Sequence, residues 1–214
     1  YLPNIEYNRS NGLIMGIGPE YTSYNFRMNP YDYRLSFTAK YATVPKTYHL
    51  ALHGEFNNII KNTIISVDLF RTKLLLTNYY GYGNLTSYKH NLDEKDYYKT
   101  NQEVTKANLG IAFNITNNLS SQLSFEYKYL ETIIYNNSIV NLIPQAGYGL
   151  GGFHSTSISL NIKYDNRDNT FFTGKGFLID LSGIIFPKFK ENIETFKKAE
   201  FDVRRYTQLG FLNS

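Results

Sequence analysis

Cysteine and tryptophan are absent from the 214 residues, and methionine occurs only twice. Without Cys there is no disulfide framework, no thiolate nucleophile and no Cys-ligated zinc site. No run of about 18 apolar residues occurs, so no transmembrane helix is expected. Charged residues make up 19% of the chain, below the roughly one quarter usual for a soluble domain. The net charge of +4 is spread out, with no Lys/Arg run that would mark a nucleic-acid footprint. No Gly-x-Ser-x-Gly and no Ser/His/Asp arrangement points to hydrolysis, and no catalytic residue is assigned. The chain opens on Tyr1 rather than Met and carries no signal-peptide pattern, so it reads as an excerpt of a longer precursor.

What is present is aromatic and alternating. There are 20 Tyr and 15 Phe, residue types that favour strands. Between Ser157 and Pro187, Ile158, Leu160, Ile162 and Tyr164 fall on one face, and Ser159, Asn161, Lys163 and Asp165 on the other. After a charged turn, Phe177, Ile179, Leu181 and Ile185 continue the apolar face opposite Asp180 and Ser182. A side-chain period of two is the signature of a strand. The same pattern places strands from Leu13 to Thr22, Leu35 to Tyr41, Tyr48 to Glu55, Ile65 to Leu69, Ala107 to Ile115, Leu123 to Tyr129 and Ala199 to Arg204. Tyr1 to Asn8 reads as an extended lead-in, Arg71-Thr-Lys73 as a turn, and Leu74 to Gly83 as an aromatic strand end. That makes roughly ten strands, each near the length of about 9–11 residues that crosses a bilayer at a tilt. No helix competes, and no linker divides residues 1–214, so one all-β domain is expected.

Alternation is shared by soluble sandwiches and membrane barrels. The mean hydropathy of −0.37 does not separate them, because barrel strands are only half apolar. Two features favour an antiparallel transmembrane barrel. Short connections (Val44–Thr47, Arg71–Lys73, Thr116–Ser120) alternate with long ones (Asn84–Tyr98, Glu131–Gly152), as expected of short periplasmic turns and longer external loops. Tyr79, Tyr80 and Tyr82 precede one long connection, and Tyr127 and Tyr129 the other, like an interfacial aromatic girdle. The polar face carries Lys40, His53, Glu55, Asp68, Glu126, Lys128, Asp180, Glu200 and Asp202, which suits a wet lumen and a solvated outer surface equally.

Ligand sites are weakly signalled. His49, His53 and Glu55 share a face, but His49 and His53 stand roughly 13 Å apart on a strand rising about 3.3 Å per residue, too far to share one ion. Tyr164 to Asn169 lacks the Gly and terminal Glu of a calcium loop. Gly147-Tyr-Gly-Leu-Gly-Gly152 precedes a strand rather than a helix, which disfavours a dinucleotide site. No metal ligand and no cofactor are assigned. Asp165, Arg167 and Asp168 form a candidate ion-paired turn in which the Arg fork holds two carboxylates.

Tyr164-Asp-Asn-Arg-Asp-Asn169, then Gly174-Lys-Gly176, then a strand, resembles the periplasmic hairpin of BamA/TamA-type barrels, the bacterial surface-antigen family. That family's usual Pro-x-x-Gly appears here as Thr173-Gly-Lys-Gly176, with the Gly but without the Pro. Phe196 to Tyr206 is similar to the strand that follows in the family. Leu2-Pro-Asn-Ile-Glu-Tyr-Asn8 with Gly12-Leu-Ile-Met-Gly16, Phe26-Arg-Met-Asn-Pro-Tyr31 and Tyr80-Gly-Tyr-Gly-Asn84 resemble other family segments. The resemblance implies a non-enzymatic outer-membrane barrel of the sixteen-strand insertase type, assisting insertion or secretion of outer-membrane proteins. Its partners would be outer-membrane lipids, unfolded outer-membrane protein clients and periplasmic assembly proteins, with no nucleic acid. It casts Asp165, Arg167, Asp168 and Gly176 as a structural motif, and places their turn between strands eight and nine on the periplasmic side. Only about ten strands are here, so the chain would be the N-terminal part of the barrel, with the final strands and their Arg-Gly-aromatic motif absent. Gly16 and Gly18 fit a weakened seam in the first strand, since Gly weakens strands; packing or a bend explains them equally well. A membrane anchor for a fused phosphoesterase or patatin-like domain, a passive pore and a soluble all-β binding module remain alternatives.

Overall fold

A computed structural model describes residues 3–8, 11–26, 31–44, 46–57, 59–80, 91, 97–134, 136–142, 151–189 and 194–207. These residues form one antiparallel sheet of eleven strands. They are β1 (Asn4–Asn8), β2 (Gly12–Ile17), β3 (Glu20–Ser23), β4 (Tyr33–Ala42), β5 (Thr47–Asn57) and β6 (Thr63–Asn78), followed by β7 (Lys99–Asn114), β8 (Leu119–Ile134), β9 (Gly151–Asp165), β10 (Gly176–Phe186) and β11 (Phe196–Tyr206). A short 3-10 turn at Ile139–Leu142 is the helical piece between β8 and β9. Each strand pairs with its sequence neighbour, except that β2 and β3 both pair with β4.

Their register shows that β2 and β3 are one span. Ile17 faces Ala39 and Glu20 faces Ser36, so the pairing continues without a slip across Gly18-Pro19. Pro19 has no N–H to donate, but its carbonyl accepts from the Phe37 amide at 2.9 Å. The sheet therefore crosses ten times.

Two expectations need correcting. Residues 4–8 are not a lead-in; they form β1, which pairs with β2 from Asn4↔Gly16 to Asn8↔Gly12. Arg71-Thr-Lys73 is not a turn, because β6 runs through it. The pairing with β7 shifts between Thr72 and Leu75, which marks a β-bulge. Three polar residues interrupt the apolar alternation there and imitate a turn. One strand is gained and one lost, so residues 166–175 still join the eighth and ninth spans. The edge position also moves. Gly16 lies in the second span, between Asn4 of β1 and Lys40 of β4, and the strand at the edge is β1.

Antiparallel order sends connections to alternating ends of the sheet. β5 and β6, β7 and β8, and β9 and β10 are joined at one end, here the turn end, while β4 and β5, β6 and β7, and β8 and β9 are joined at the other, the loop end. Both long connections share an end, as expected, but the short 43–46 connection joins them there. The strands also reach further towards the loop end than alternation suggested: β7 starts at Lys99 and β8 ends at Ile134.

The two faces are inverted relative to a soluble domain. Leu50, Leu52, Leu69, Leu109, Leu123, Phe125, Ile158, Leu160 and Leu181 occupy one face in register from strand to strand. All of them are exposed. The polar residues between them, such as Ser159, Asn161 and Lys163 on β9, are less exposed than their apolar neighbours. The buried hydrophobic residues among those described are Ile14, Ala42, Tyr98, Val104, Val140 and Leu178. Among the described residues no second layer covers the apolar face, and hence there is no sandwich core.

Candidate functional site

Residues 166–175 form a turn specified by hydrogen bonds. Arg167 donates Nε to Asp165 Oδ1 at 2.8 Å and Nη2 to Oδ2 at 2.7 Å, the bidentate fork geometry. Asp168 is not held by Arg167. Its Oδ1 accepts the backbone amides of Asn169 (2.9 Å), Gly174 (3.0 Å) and Lys175 (3.2 Å). Asn166 Oδ1 accepts the Phe177 amide at 2.7 Å, and Asn169 Oδ1 accepts those of Phe171 and Phe172. Gly176 closes the turn at a φ of +124°. A Cβ there would lie 2.7 Å from both Arg167 Cα and the Asn166 carbonyl oxygen. The expected ion-paired turn thus divides its labour: one carboxylate pairs with Arg167, and the other organises backbone.

These contacts move the turn's titrations. The Asp165 carboxylate raises the Arg167 guanidinium above its ordinary value. Backbone amides, Lys175 first, lower Asp168 below its ordinary 3.8. A carboxyl depressed by folding contributes stability above its unfolded pKa, and that contribution is lost as pH falls through the folded value. We expect acid to weaken this turn from about pH 4 downwards. Asp168→Asn removes that dependence while lowering stability at neutral pH. Unfolding midpoints followed from about pH 7 to about pH 2 check this, and an unchanged acid slope in the variant counts against it.

The polar face holds a second set of contacts. His53 Nδ1 lies 2.5 Å from Asp68 Oδ1, and Asn108 donates to Asp68 Oδ2 at 3.2 Å. Glu55 accepts from Tyr31 (2.5 Å) and Arg34 (3.2 Å). Lys106 pairs with Glu126 at 2.5 Å. His49 sits against the Phe70 ring, with centroids 6.2 Å apart. Among the described residues, no cluster of His, Asp and Glu is arranged to hold a metal ion.

The outward face carries aromatics at both rims. Tyr21, Tyr33 and Phe56 gather at the turn end, with centroids 5.9 and 6.2 Å apart. Tyr127 and Tyr129 flank His154 at the loop end, at 6.0 and 4.5 Å. Tyr80 contacts Tyr98 at 5.1 Å. Tyr82 lies outside the described residues, as do residues 27–30 and 81–84 of the resembling segments and residues 147–150 of the Gly-rich stretch.

With one open antiparallel sheet, an exposed apolar face and an organised 166–175 turn in view, comparison with known proteins is decisive. The model of the Omp85 superfamily domain matches residues 16–214. The chain belongs to the Omp85 superfamily. The family read from the turn motif, of BamA/TamA type, is the one found. No curated protein matches the chain. Among solved structures it is similar to BamA from Haemophilus ducreyi lacking POTRA domains 1–3. The identity is 14% and the TM-score 0.49, over 85% of this chain and 32% of that one. The chain thus spans about a third of that structure's length.

Two groupings on this Omp85 sheet escape sequence reading. Lys40 reaches across Gly16 to Glu6 of the edge strand, with Nζ to Oε1 at 3.4 Å. A Cβ on Gly16 would stand 2.8 Å from Lys40 Cγ, so the glycine makes room for that crossing. Gly18 has only distant neighbours, the nearest at 3.8 Å. The other grouping lies at the bulge. Arg71 pairs with Glu103 (Nε to Oε1, 2.6 Å), and Lys73 takes Oε2 at 2.7 Å. Arg71 and Glu103 are 32 residues apart in sequence, and no local pattern joins them.

Proposed function

We propose that residues 1–214 form part of a single outer-membrane β-barrel domain that assists insertion or translocation of outer-membrane proteins without enzymatic chemistry. The observation that carries the reading is the inverted sheet: an Omp85-superfamily chain whose apolar face is the exposed one. Hydrocarbon is the solvent that such a face requires, and the half-shielded polar face suits a wet lumen. In this arrangement the 166–175 turn lies on the periplasmic side, where Asp165, Arg167, Asp168 and Gly176 act as a structural clamp. The loop end of the sheet, where β6 joins β7 and β8 joins β9, faces outside the cell. Outer-membrane lipids cover the apolar band.

The assembly mechanism follows from the edges. Among the described residues, β1 and β11 each pair with one neighbour. The β1–β2 ladder has five residue pairs and the β10–β11 ladder eleven. The outer backbone groups of β1 offer a template for an incoming client strand. Gly16 and Gly18 soften the span next to that edge rather than the edge itself. Unfolded barrel clients and periplasmic assembly proteins are the partners.

The test is reconstitution of the full-length protein into lipid vesicles. A urea-unfolded outer-membrane protein should fold faster on these vesicles than on protein-free ones. Equal rates remove the assembly role and leave the barrel. A chain that stays monomeric in water without detergent removes both.

A further inference from the structure

The outward face is not uniformly apolar. On β6 it runs Val67, Leu69, Arg71 towards the loop end, so a guanidinium follows directly on the apolar band. The Arg71 side chain is 54% exposed, whereas that of Glu103, its partner on β7, is 6% exposed. Glu103 Oε1 takes Arg71 and Oε2 takes Lys73, so both carboxylate oxygens are engaged. The guanidinium engages Glu103 through Nε and Nη2, and Arg has five donors in all. Lys73 Nζ also lies over the Tyr48 ring, 5.8 Å from its centroid. With Glu131, which stands directly across from Glu103 on β8 and accepts the Tyr129 hydroxyl at 3.3 Å, two cations face two carboxylates and the four groups sum to zero; Arg71 is the more exposed of the two cations.

Directly below this head runs a groove of about 390 Å³ on the same face. Its walls include Phe37, Leu52, Leu69 and Tyr127; Ala107 forms its low floor, and Arg71 and Thr105 mark its upper end. The depression exists because Ala107 stands between the larger Leu69 and Tyr127 in one cross-strand row. A neighbouring outward groove between β1 and β5, lined by Met15, Ile17, Ala39 and Tyr41, is equally apolar. The Lys40 ammonium beside it turns to Glu6 on the opposite face, and Tyr48, over whose ring Lys73 Nζ lies, lines that groove, whereas Arg71 lines the β6–β8 one.

We propose that the β6–β8 groove is a site for one phosphate-bearing membrane lipid of the external leaflet, with an acyl chain along Leu69, Ala107 and Tyr127 and the phosphate on Arg71 and Lys73. Arg binds phosphate oxygens through its planar fork, and Lys adds a point charge. Tyr48 and Tyr129 hold the rim at headgroup depth, where amphipathic rings settle. The proposal rests on the membrane-barrel reading and gives one strip of the apolar band a defined occupant.

The test uses the full-length protein in nanodiscs of phosphatidylcholine containing a minority of phosphatidylglycerol. Lipids retained after extraction into detergent are counted by native mass spectrometry. The wild-type protein should retain phosphatidylglycerol preferentially. Arg71→Gln should lower that preference about fivefold, the value of one cation at a membrane surface, and Lys73→Gln by a similar factor. Glu131→Gln should raise it. Ala107→Phe should fill the floor and abolish retention of long-chain lipid while leaving both cations in place. An inorganic phosphate arm separates lipid from simple anion: millimolar phosphate should not displace the retained lipid. If Arg71→Gln and Ala107→Phe both insert yet retain phosphatidylglycerol like the wild type, or if phosphate alone displaces it, the lipid site is wrong while the barrel stands. If the wild-type protein fails to enter nanodiscs, the barrel reading itself fails.

Discussion

Leu160→Arg destabilises the membrane-folded protein by about 2–4 kcal/mol, while Ser159→Arg, one residue away, stays within about 1 kcal/mol. Leu160 lies mid-strand on the outward face between Leu123 of β8 and Gly183 of β10, and is 47% exposed. An exposed surface leucine in a soluble protein tolerates Arg within a few tenths of a kcal/mol, because water solvates the new charge. In hydrocarbon the guanidinium has no such solvent, and snorkelling from mid-strand is too far to recover it. Ser159 faces the other way, between Ser124 and Ile184, where an added charge meets a wet lumen. Guanidinium titration of the two variants in lipid vesicles measures the difference. Equal stabilities, or a larger loss at Ser159, would reverse the assignment of the faces.

Gly176→Ala prevents the β9–β10 hairpin from closing, with a cost on the order of 3 kcal/mol or more. Two causes add. The φ of +124° lies where a Cβ is strained whatever the space around it. That Cβ would also stand 2.7 Å from two backbone atoms, Arg167 Cα and the Asn166 carbonyl oxygen, which cannot swing aside as a side chain would. Gly183→Ala serves as the control, since nothing lies within 4 Å of its Cβ position. The folded fraction after refolding into detergent or lipid, read by heat-modifiable gel migration, should drop for Gly176→Ala and hold for Gly183→Ala. Similar yields for the two would show that the turn adopts another closure.

Much of this was legible because a strand has a period of two. Ile158, Leu160 and Ile162 announced their common face without any tertiary knowledge, and the pairing with Leu123 and Phe125 only extended it. The turn was legible for another reason. Asp165, Arg167, Asp168 and Gly176 lie within twelve consecutive positions, where local chemistry dominates. Even so, the sequence suggested an Arg bridging two carboxylates, and the fold gives Asp168 to backbone amides instead. Asn4–Asn8 was missed because five residues with a weak pattern need a partner strand to become β1. Arg71-Thr-Lys73 was misread because a bulge and a turn both break alternation, and only the opposite strand distinguishes them.

The sequence by itself determined most of the strands, their common polar and apolar faces, the place of the 165–176 turn and, through the turn's resemblance, the family. Side-chain alternation and turn preferences are local, and a local signal survives in one dimension. Tertiary structure alone decided which face is exposed, that β1 rather than the Gly16 span stands at the edge, and that Arg71 and Lys73 meet on Glu103 above an apolar groove. Exposure depends on whether a second layer covers a face, and the meeting of Arg71 with Glu103 depends on register across strands. Neither is a property of any window along the chain.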